Sequence, residues 1–322
     1  MSSSKFTSNM KRVLRALCLR PWANDRQISE TEKIKMSTVT ACKNRLKRAL
    51  IYKKTYLPAY HRLGYPLVSF SQLKDDRPPD AVLKALSKYQ AVRVNENDKT
   101  LVSYMATDPF NTFVMSHHRD FTAFKAFENV FGQDMSWSHE VCTMEGATKV
   151  VDFNYTNIVN RQFFPDRSEA FRPMTMNTIP LNFHKIEKKV FDGLLDHQGE
   201  VLNTVASKIG LTRQTVVKMM GRFKKDGTLE KNTVVDLGRL GMQFQSIIKF
   251  KKNRTSNEEI SKINRILGPF YYWVFDHVHV IMVANTDYKE MMTGLGQLNE
   301  VKGILDLKVQ FFQVGTDGLS VS

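Results

Sequence analysis

The sequence predicts an α+β fold in which small helical domains alternate with domains made of strands and helices. Three observations predict this fold. The chain matches itself after a shift of 177 residues, the same order of apolar patterns appears in both halves, and positive charge is concentrated at the start of each half. A chain of 322 residues, 42% of them hydrophobic, is long and apolar enough to form more than one domain.

The self-match covers helical and strand patterns alike. It runs without a gap from 11–74, which aligns with 188–251. Identical residues recur within it, for example Arg62-Leu63-Gly64 and Arg239-Leu240-Gly241. Self-similarity over so long a stretch indicates an internal duplication.

The basic excess of the chain is uneven. Residues 1–64 contain fifteen Lys and Arg against three acidic residues, and residues 183–242 contain eleven against seven. Because the formal net charge of the whole chain is +15, the remainder is close to neutral. Positive charge gathered into two segments is typical of contact with a polyanion, although a solvated helix face is the simpler alternative for one segment alone.

The second copy shows the pattern of a winged helix-turn-helix. Apolar residues at helical spacing predict a first helix from His184 to His197. We expect Asn203-Thr204 to cap a short second helix, Gly210 to end it in the left-handed conformation, and Thr212 to cap the third helix. A strand or wing is predicted from Thr228 to Asp236, which completes the domain.

The first copy follows the same plan. Val39, Cys42 and Leu46 predict the inner face of its third helix, and the strand is expected at Ile51 to Leu57. Lys35 stands where the second copy has its capping threonine, and the turn contains no glycine. The turn is therefore less clearly marked here than in the second copy.

The outer face of each third helix carries basic, amide and hydroxyl side chains. Lys and Arg neutralise phosphates, whereas Asn, Gln and Thr can hydrogen-bond base edges from a helix in the major groove. Lysines on the predicted wings are placed to contact phosphates. The residues expected to contact DNA are Thr38, Thr40, Lys43, Asn44, Lys47, Arg48, Lys53 and Lys54 in the first copy and Arg213, Gln214, Thr215, Lys218, Arg222 and Lys225 in the second.

A β-α-β-β-α-β order follows each helical domain, and this order predicts a ferredoxin-like antiparallel sheet with both helices on one face. In the second copy the elements are expected at Phe244–Lys251, Asn257–Leu267, Tyr271–Asp276, His279–Ala284, Tyr288–Asn299 and Leu305–Val314. We expect Asp287 to cap the second helix. In the first copy they are expected at Leu67–Leu73, Pro79–Tyr89, Val92–Asn95, Leu101–Ala106, Phe110–Phe131 and Met135–Cys142.

Five segments result from these assignments. The helical domains occupy 1–64 and 183–242, and the ferredoxin-like domains occupy 65–143 and 243–322. Residues 144–182 have no counterpart in the second copy. We interpret them as an extra hairpin and a linker.

A helix-turn-helix with Leu-Thr-x-x-Thr-Val from Leu211 to Val216, a strand leading to Leu240-Gly241, and then a βαββαβ domain together resemble the Lrp/AsnC family of transcriptional regulators. The resemblance implies assembly through the αβ domains, here as a homo-oligomer, and binding of a small-molecule effector near the turn between the second and third strands. In this chain the corresponding residues are Asn97, Asp98, Asp276, His277 and His279.

Other candidate sites are weaker. His277 and His279 alternate along a strand and could hold a metal with Asp276, but solvated histidines at a hairpin are the favoured interpretation, since two such ligands do not define a site. His117-His118 are expected on a helix. The three cysteines have no disulfide or zinc-ribbon spacing. We predict no catalytic site, no metal and no cofactor.

The sequence therefore favours a regulator that binds double-stranded DNA at specific, non-palindromic sites. No signal peptide or apolar segment of membrane-spanning length is present in the sequence, so we expect a cytoplasmic protein associated with the nucleoid. Two alternatives stay open. One is an enzyme of the same architecture, similar to the fused sirohaem decarboxylases, and the other is an architectural protein that binds DNA with little sequence preference.

Overall fold

The structure is a computed structural model that describes residues 6–74, 99–107, 111–131, 136–167, 169, 171–176 and 179–314. The elements in chain order are α1 (Ser8–Leu19), α2 (Asp25–Glu32), α3 (Met36–Arg48), β1 (Tyr52–Pro58), a 3-10 helix (Tyr60–Leu63), β2 (Leu67–Lys74), β3 (Thr100–Thr107), β4 (Asn111–His118), α4 (Phe121–Phe131), β5 (Ser136–Thr143), β6 (Thr148–Val151), α5 (Thr156–Phe163), β7 (Met174–Thr175), α6 (Lys185–Asp196), α7 (Leu202–Lys208), α8 (Arg213–Lys225), β8 (Leu229–Val235), β9 (Phe244–Lys251), α9 (Asn257–Leu267), β10 (Tyr271–Phe275), β11 (Val278–Asn285), α10 (Tyr288–Asn299) and β12 (Leu305–Gln313).

The chain divides into two compact units that do not follow the order of the sequence. The first unit consists of Met1–Lys54, Gly146–Met176 and Asn232–Leu319, and the second consists of Thr55–Glu145, Asn177–Lys231 and Ser320–Ser322. The first helical domain therefore shares a unit with the second sheet. The second helical domain shares a unit with the first sheet.

Helices α1, α2 and α3 form the three-helix group of the first unit. Thr7 caps α1 with its side chain, and Asn24 caps α2 in a capping box with Gln27. Burial of apolar residues such as Leu14 and Leu46 holds the three helices together. Lys35 begins α3 without a side-chain cap, as its residue type predicts.

Helices α6, α7 and α8 form the equivalent group of the second unit. The Thr212 side chain accepts a hydrogen bond from the Thr215 amide, which confirms the predicted cap of α8. The expected cap at Asn203-Thr204 is wrong, because α7 begins at Leu202 and both residues lie inside it. Val201 precedes the helix in extended conformation, so the helix begins before the polar pair instead of after it.

Both sheets have the strand order of a ferredoxin-like domain. In the second unit the order is β3-β4-β2-β5, and in the first unit it is β12-β9-β11-β10, extended by β6 and β7. The pairs are antiparallel throughout. Helices α9 and α10 contribute Ile260, Ile263, Leu295 and Leu298 to the core of the first unit's sheet. The Asp287 side chain caps α10, as predicted.

The first sheet differs from its prediction. Residues 111–118, expected at the start of a long helix, form strand β4, and only 121–131 are helical. The apolar run through Phe113, Val114 and Met115 is buried on both faces, so it lacks the alternation that marks a half-exposed strand. Strand β4 pairs with β3 in antiparallel fashion, so these two paired strands lie later in the chain than the pair expected at 92–95 and 101–106.

Several predicted features of this domain lie outside the described residues, namely the helix at 79–89, the strand at 92–95 and the turn residues Asn97 and Asp98. The described part of the segment 144–182 contains two strands and a helix. Strand β6 pairs with β10 on one side and with β7 on the other, and α5 follows β6. These residues therefore widen the second sheet, in addition to connecting the two halves.

The two strands expected as wings pair with each other, because β1 and β8 form a two-stranded sheet. In the first unit the Asp236 amide donates to the Ile51 carbonyl at 2.9 Å, and in the second unit the Ala59 amide donates to the Thr228 carbonyl at 3.0 Å. The two donors, Asp236 and Ala59, are 177 residues apart, and so are the two acceptors, Thr228 and Ile51. The repeat in sequence thus has a counterpart in backbone geometry.

The turn before each third helix contains one left-handed residue. Lys33 has a φ of 52° and Gly210, its counterpart at the shift of 177, has a φ of 61°. Left-handed backbone costs a residue with a side chain roughly 1–2 kcal/mol, whereas glycine adopts it freely. Only the second copy therefore uses the residue that this geometry favours.

We expect Lys33→Gly to raise the free energy of unfolding by up to about 1 kcal/mol and Gly210→Lys to lower it by about as much. A Cβ at Gly210 has only the Lys189 Nζ within reach, at 3.8 Å, so backbone strain accounts for the change. Urea denaturation of both variants measures the two effects. Changes of the same sign in the two variants would contradict the strain argument.

Candidate nucleic-acid interface

The outward face of α3 is strongly basic. Asn44, Lys47 and Arg48 are exposed, as predicted, and so is Arg45, which the sequence analysis did not select. Arg45 directly precedes the buried Leu46, and the spacing of the buried residues did not single it out as a residue that contacts DNA. The helix contains no acidic residue, so these cations have no ion-pair partner within α3.

Two predicted contact residues of α3 are engaged inside the domain. The Thr40 hydroxyl donates to Asp25 Oδ2 at 2.6 Å, and the Lys43 ammonium forms an ion pair with Asp25. Burial raises the pKa of Asp25, but the hydrogen bonds from Lys43 and Thr40 outweigh it, so the pKa lies below its usual value. Both side chains link α2 to α3. Thr38 is half-buried.

Helix α8 also presents cations and contains no acidic residue. Arg213, Gln214, Lys218 and Lys225 are exposed on it. The half-buried Thr215 hydroxyl lies 2.9 Å from the Thr212 hydroxyl, at the start of the helix.

The last predicted contact of α8, Arg222, is exposed and forms an ion pair with the buried Glu187 of α6. Its charge is therefore compensated within the domain, as is that of Lys43 in the first copy.

The predicted wing lysines lie on the paired strands. Lys53 is exposed and Lys54 is half-buried on β1. On β8 the ammonium of Lys231 lies 5.8 Å from the centroid of the Tyr56 ring. These side chains thus flank the two-stranded sheet rather than the tip of a hairpin.

Every acidic residue among the first 64 residues pairs with a cation. Asp25 binds Lys43, Glu30 binds Arg26, and Glu32 binds both Arg12 and Arg20. The acids of this segment are thereby used for internal contacts. None of these acids pairs with Arg45, Lys47 or Arg48, the exposed cations of α3.

An arginine holds the end of each third helix. In the second unit the buried Arg62 donates to the Asp226 carbonyl and, at 3.1 Å, to the Ile179 carbonyl. In the first unit Arg239 donates to the Ala49 carbonyl at 2.7 Å. Asp226 and Ala49 are the residues that end α8 and α3. The Arg-Leu-Gly motif that repeats in the sequence therefore fixes both third helices in equivalent ways.

The predicted effector residues of the second copy separate in space. Asp276 and His277 lie in the exposed turn between β10 and β11, with His277 Nδ1 2.8 Å from Asp276 Oδ2. His279 is fully buried, contrary to the expectation of a solvated side chain. Its ring nitrogens lie 2.9 Å from the Tyr272 hydroxyl and from the Thr255 hydroxyl. The two histidines do not share a site.

The adjacent histidines of the first copy are buried as well. His118 Nε2 lies 2.9 Å from the Ser69 hydroxyl, and its Nδ1 lies 3.0 Å from the Thr100 hydroxyl. His117 stacks on the Tyr60 ring at 4.4 Å. Burial lowers the pKa of His117 to about 3 and that of His118 to about 4. These rings hold the sheet together as neutral groups.

Two negative findings apply to the described residues. No group of three or more His, Cys, Asp and Glu side chains is arranged to hold a metal ion there. None of the helices in this part of the chain combines the length and the apolar character that crossing a bilayer requires.

These features define an α+β protein with two three-helix groups and two sheets of ferredoxin-like strand order. An AsnC family transcriptional regulator from Agrobacterium tumefaciens matches it at 11% identity and a TM-score of 0.33, covering 43% of this chain and 95% of that one. The AsnC structure from E. coli matches at 11% identity and 0.31, over 41% and 92%. The LrpC structure from B. subtilis matches at 13% identity and 0.33, over 42% and 97%.

No family model matches the sequence, and no curated protein matches it. Each of the structural matches above covers less than half of this chain. The function of the chain therefore has to be argued from its own residues.

We expect stability to fall with acid because of the buried histidines. Burial is the main reason that the pKa of His279 is lowered to about 3, and an unfolded histidine titrates near 6.5. The unfolded state then binds the extra proton as pH falls below about 6.5, so the folded state loses stability between that pH and about 3. The stability that His279 contributes is thus complete only above pH 6.5.

The variant His279→Gln tests this dependence. The gap in unfolding free energy between the natural chain and the variant should shrink by about 2 kcal/mol between pH 7.5 and 4.5, as measured by urea denaturation. His277→Gln, at the exposed turn, is the control for the loss of a histidine side chain. A constant gap for His279→Gln would contradict the argument.

Arg62→Ala is expected to lower the free energy of unfolding by about 2 kcal/mol, because two carbonyls lose a charged donor inside the second unit. Arg239→Ala should cost less, since Arg239 is more exposed and donates to one helix end. Arg26→Ala removes only an exposed pair and should change stability by less than about 0.5 kcal/mol. If denaturation curves show equal losses for all three variants, the positioning role is wrong.

Proposed function

We propose that the chain is a sequence-specific transcription regulator that binds double-stranded DNA through α3 and α8. The observation that carries this proposal is that both third helices present exposed cations and contain no acidic residue. The like charges on such a helix repel one another, and contact with the phosphates of a nucleic acid offsets this repulsion.

The local geometry supports a helix-turn-helix in each group. Three residues separate α2 from α3, and four separate α7 from α8. Turns of three or four residues are typical of this motif, whose second helix enters the major groove. Buried Val39 and Val216 face inward at equivalent positions of the two helices, so the polar faces of α3 and α8 are directed outward.

The contacts proposed for each helix differ. On α3 the exposed Asn44 can hydrogen-bond base edges. Lys47 and Arg48, three and four residues further along the same helix face, can bind phosphates. On α8 the exposed amide is Gln214, near the start of the helix. Because the two helices offer different side chains, we infer a binding site without palindromic symmetry.

We infer that the two halves arose by duplication within one chain. The shift of 177 residues converts the bond from Arg62 to Asp226 into the bond from Arg239 to Ala49. It also converts Lys33 into Gly210, which share a left-handed backbone. Hydrogen bonds whose partners are related by the same shift support a common origin of the two halves better than matching residue types alone.

The double variant Lys47→Ala/Arg48→Ala tests the proposed interface. Loss of two phosphate contacts should weaken binding to a duplex selected from a random pool, and it should lower the slope of log affinity against log salt by about 2. Fluorescence anisotropy at several salt concentrations measures both quantities. Lys43→Ala should leave the slope nearly unchanged, because Lys43 binds Asp25.

Lys262→Ala/Arg265→Ala is the matched control. It removes the same charge from the exposed side of α9, far along the chain from either third helix, and should leave the slope unchanged. Equal losses in both double variants would overturn the assignment of α3. Equal affinity for selected and scrambled duplexes would indicate an architectural protein, and a Soret shift with sirohaem but no DNA binding would indicate the enzyme.

A further inference from the structure

Gly221 lies in the middle of α8 without a structural reason to be glycine. It is exposed, and a Cβ built on it meets no described atom within 4 Å. Its backbone is helical. Glycine in an exposed helix interior is less favourable than alanine, so this position gives up stability without any gain in packing.

Two other helical glycines of the described residues have packing reasons, whereas Gly296 of α10 has none. A Cβ on Gly193 of α6 would lie 2.5 Å from Ile209 Cγ2, which no real contact tolerates. A Cβ on Gly294 of α10 would touch Leu267 Cδ2 at 3.5 Å. At these two positions the glycine lies against a neighbouring side chain. Open space over a helical glycine therefore occurs at Gly221 and at Gly296, and Gly221 differs from Gly296 in the residues that surround it on its helix.

The surroundings of Gly221 are cationic. Residues three and four apart share a helix face, so Lys218 and Lys225 lie on either side of the glycine along one face of α8. Both lysines are exposed. The counterpart of Gly221 on α3, at the shift of 177, is the exposed Asn44. The second copy thus replaces a projecting amide with bare backbone between two positive charges.

We propose that Gly221 is the point of closest approach between α8 and a phosphate-bearing strand of the duplex, an inference that rests on the proposed function. The lysines on either side bind phosphates, and the missing side chain lets the strand lie against the helix backbone. A side chain at this position keeps the strand away and lengthens both lysine contacts. Helix α3, by contrast, keeps Asn44 for base contacts, so the two helices perform different tasks.

The variants Gly221→Ala and Gly221→Leu test the proposal in the full-length chain, with the selected duplex as the probe. Both should raise the melting temperature, by about 2 °C, because both residues favour a helix. Affinity for DNA should fall about fivefold for alanine and more than twentyfold for leucine, as the added side chain grows. A stability gain combined with a graded loss of binding is not expected of a merely structural glycine.

Gly296→Ala and Gly296→Leu are the matched controls. Gly296 is an exposed helical glycine of α10 that also has no described atom near an added Cβ. These variants should gain the same stability and keep the natural affinity. If the natural chain binds DNA and Gly221→Leu binds equally well, the close approach is wrong while the regulator stands. If the natural chain does not bind DNA, both proposals fall.

Discussion

The pairing of β1 with β8 is the constraint on which the rest of the structure depends. Each strand directly follows a third helix, and its backbone groups need partners wherever they are removed from water. At the end nearer α3, Asp236 completes the pairing to Ile51, and at the end nearer α8, Ala59 completes it to Thr228. The residue Ile51, after α3, is therefore bonded to the segment that leads from β8 to β9. The residue Thr228, after α8, is bonded to the segment that leads from β1 to β2. This explains why the units combine segments that are distant in sequence.

The same pairing brings an arginine to each third helix. Arg62 follows β1 and reaches the end of α8, whereas Arg239 follows β8 and reaches the end of α3. A cation at a helix C-terminus satisfies free carbonyls and interacts favourably with the helix dipole. A third helix fixed in this way keeps its outward face in a defined direction, as the proposed contact with DNA requires.

The sequence predicted three of the caps and turns from single residue types, although the cap expected at Asn203-Thr204 is wrong. Thr212, Gly210 and Asp287 perform the capping and turn roles expected of them, because these roles depend on short side chains and backbone freedom. It failed where burial is complete on both faces, as at 111–118, since a continuous apolar run gives no period. The ion pair of Lys43 with Asp25 was also missed. Long-range partners leave no trace in local spacing.

Joining two similar halves in one chain removes a symmetry requirement. In a dimer of identical chains, a substitution that helps one helix alters its partner as well, so both must read the same half-site. In the proposed regulator, α3 has Asn44 where α8 has Gly221, and the left-handed turn residue is Lys33 in one copy and Gly210 in the other. Differences between the two helices can thus accumulate separately, and each helix of the proposed regulator contacts a distinct part of one DNA site.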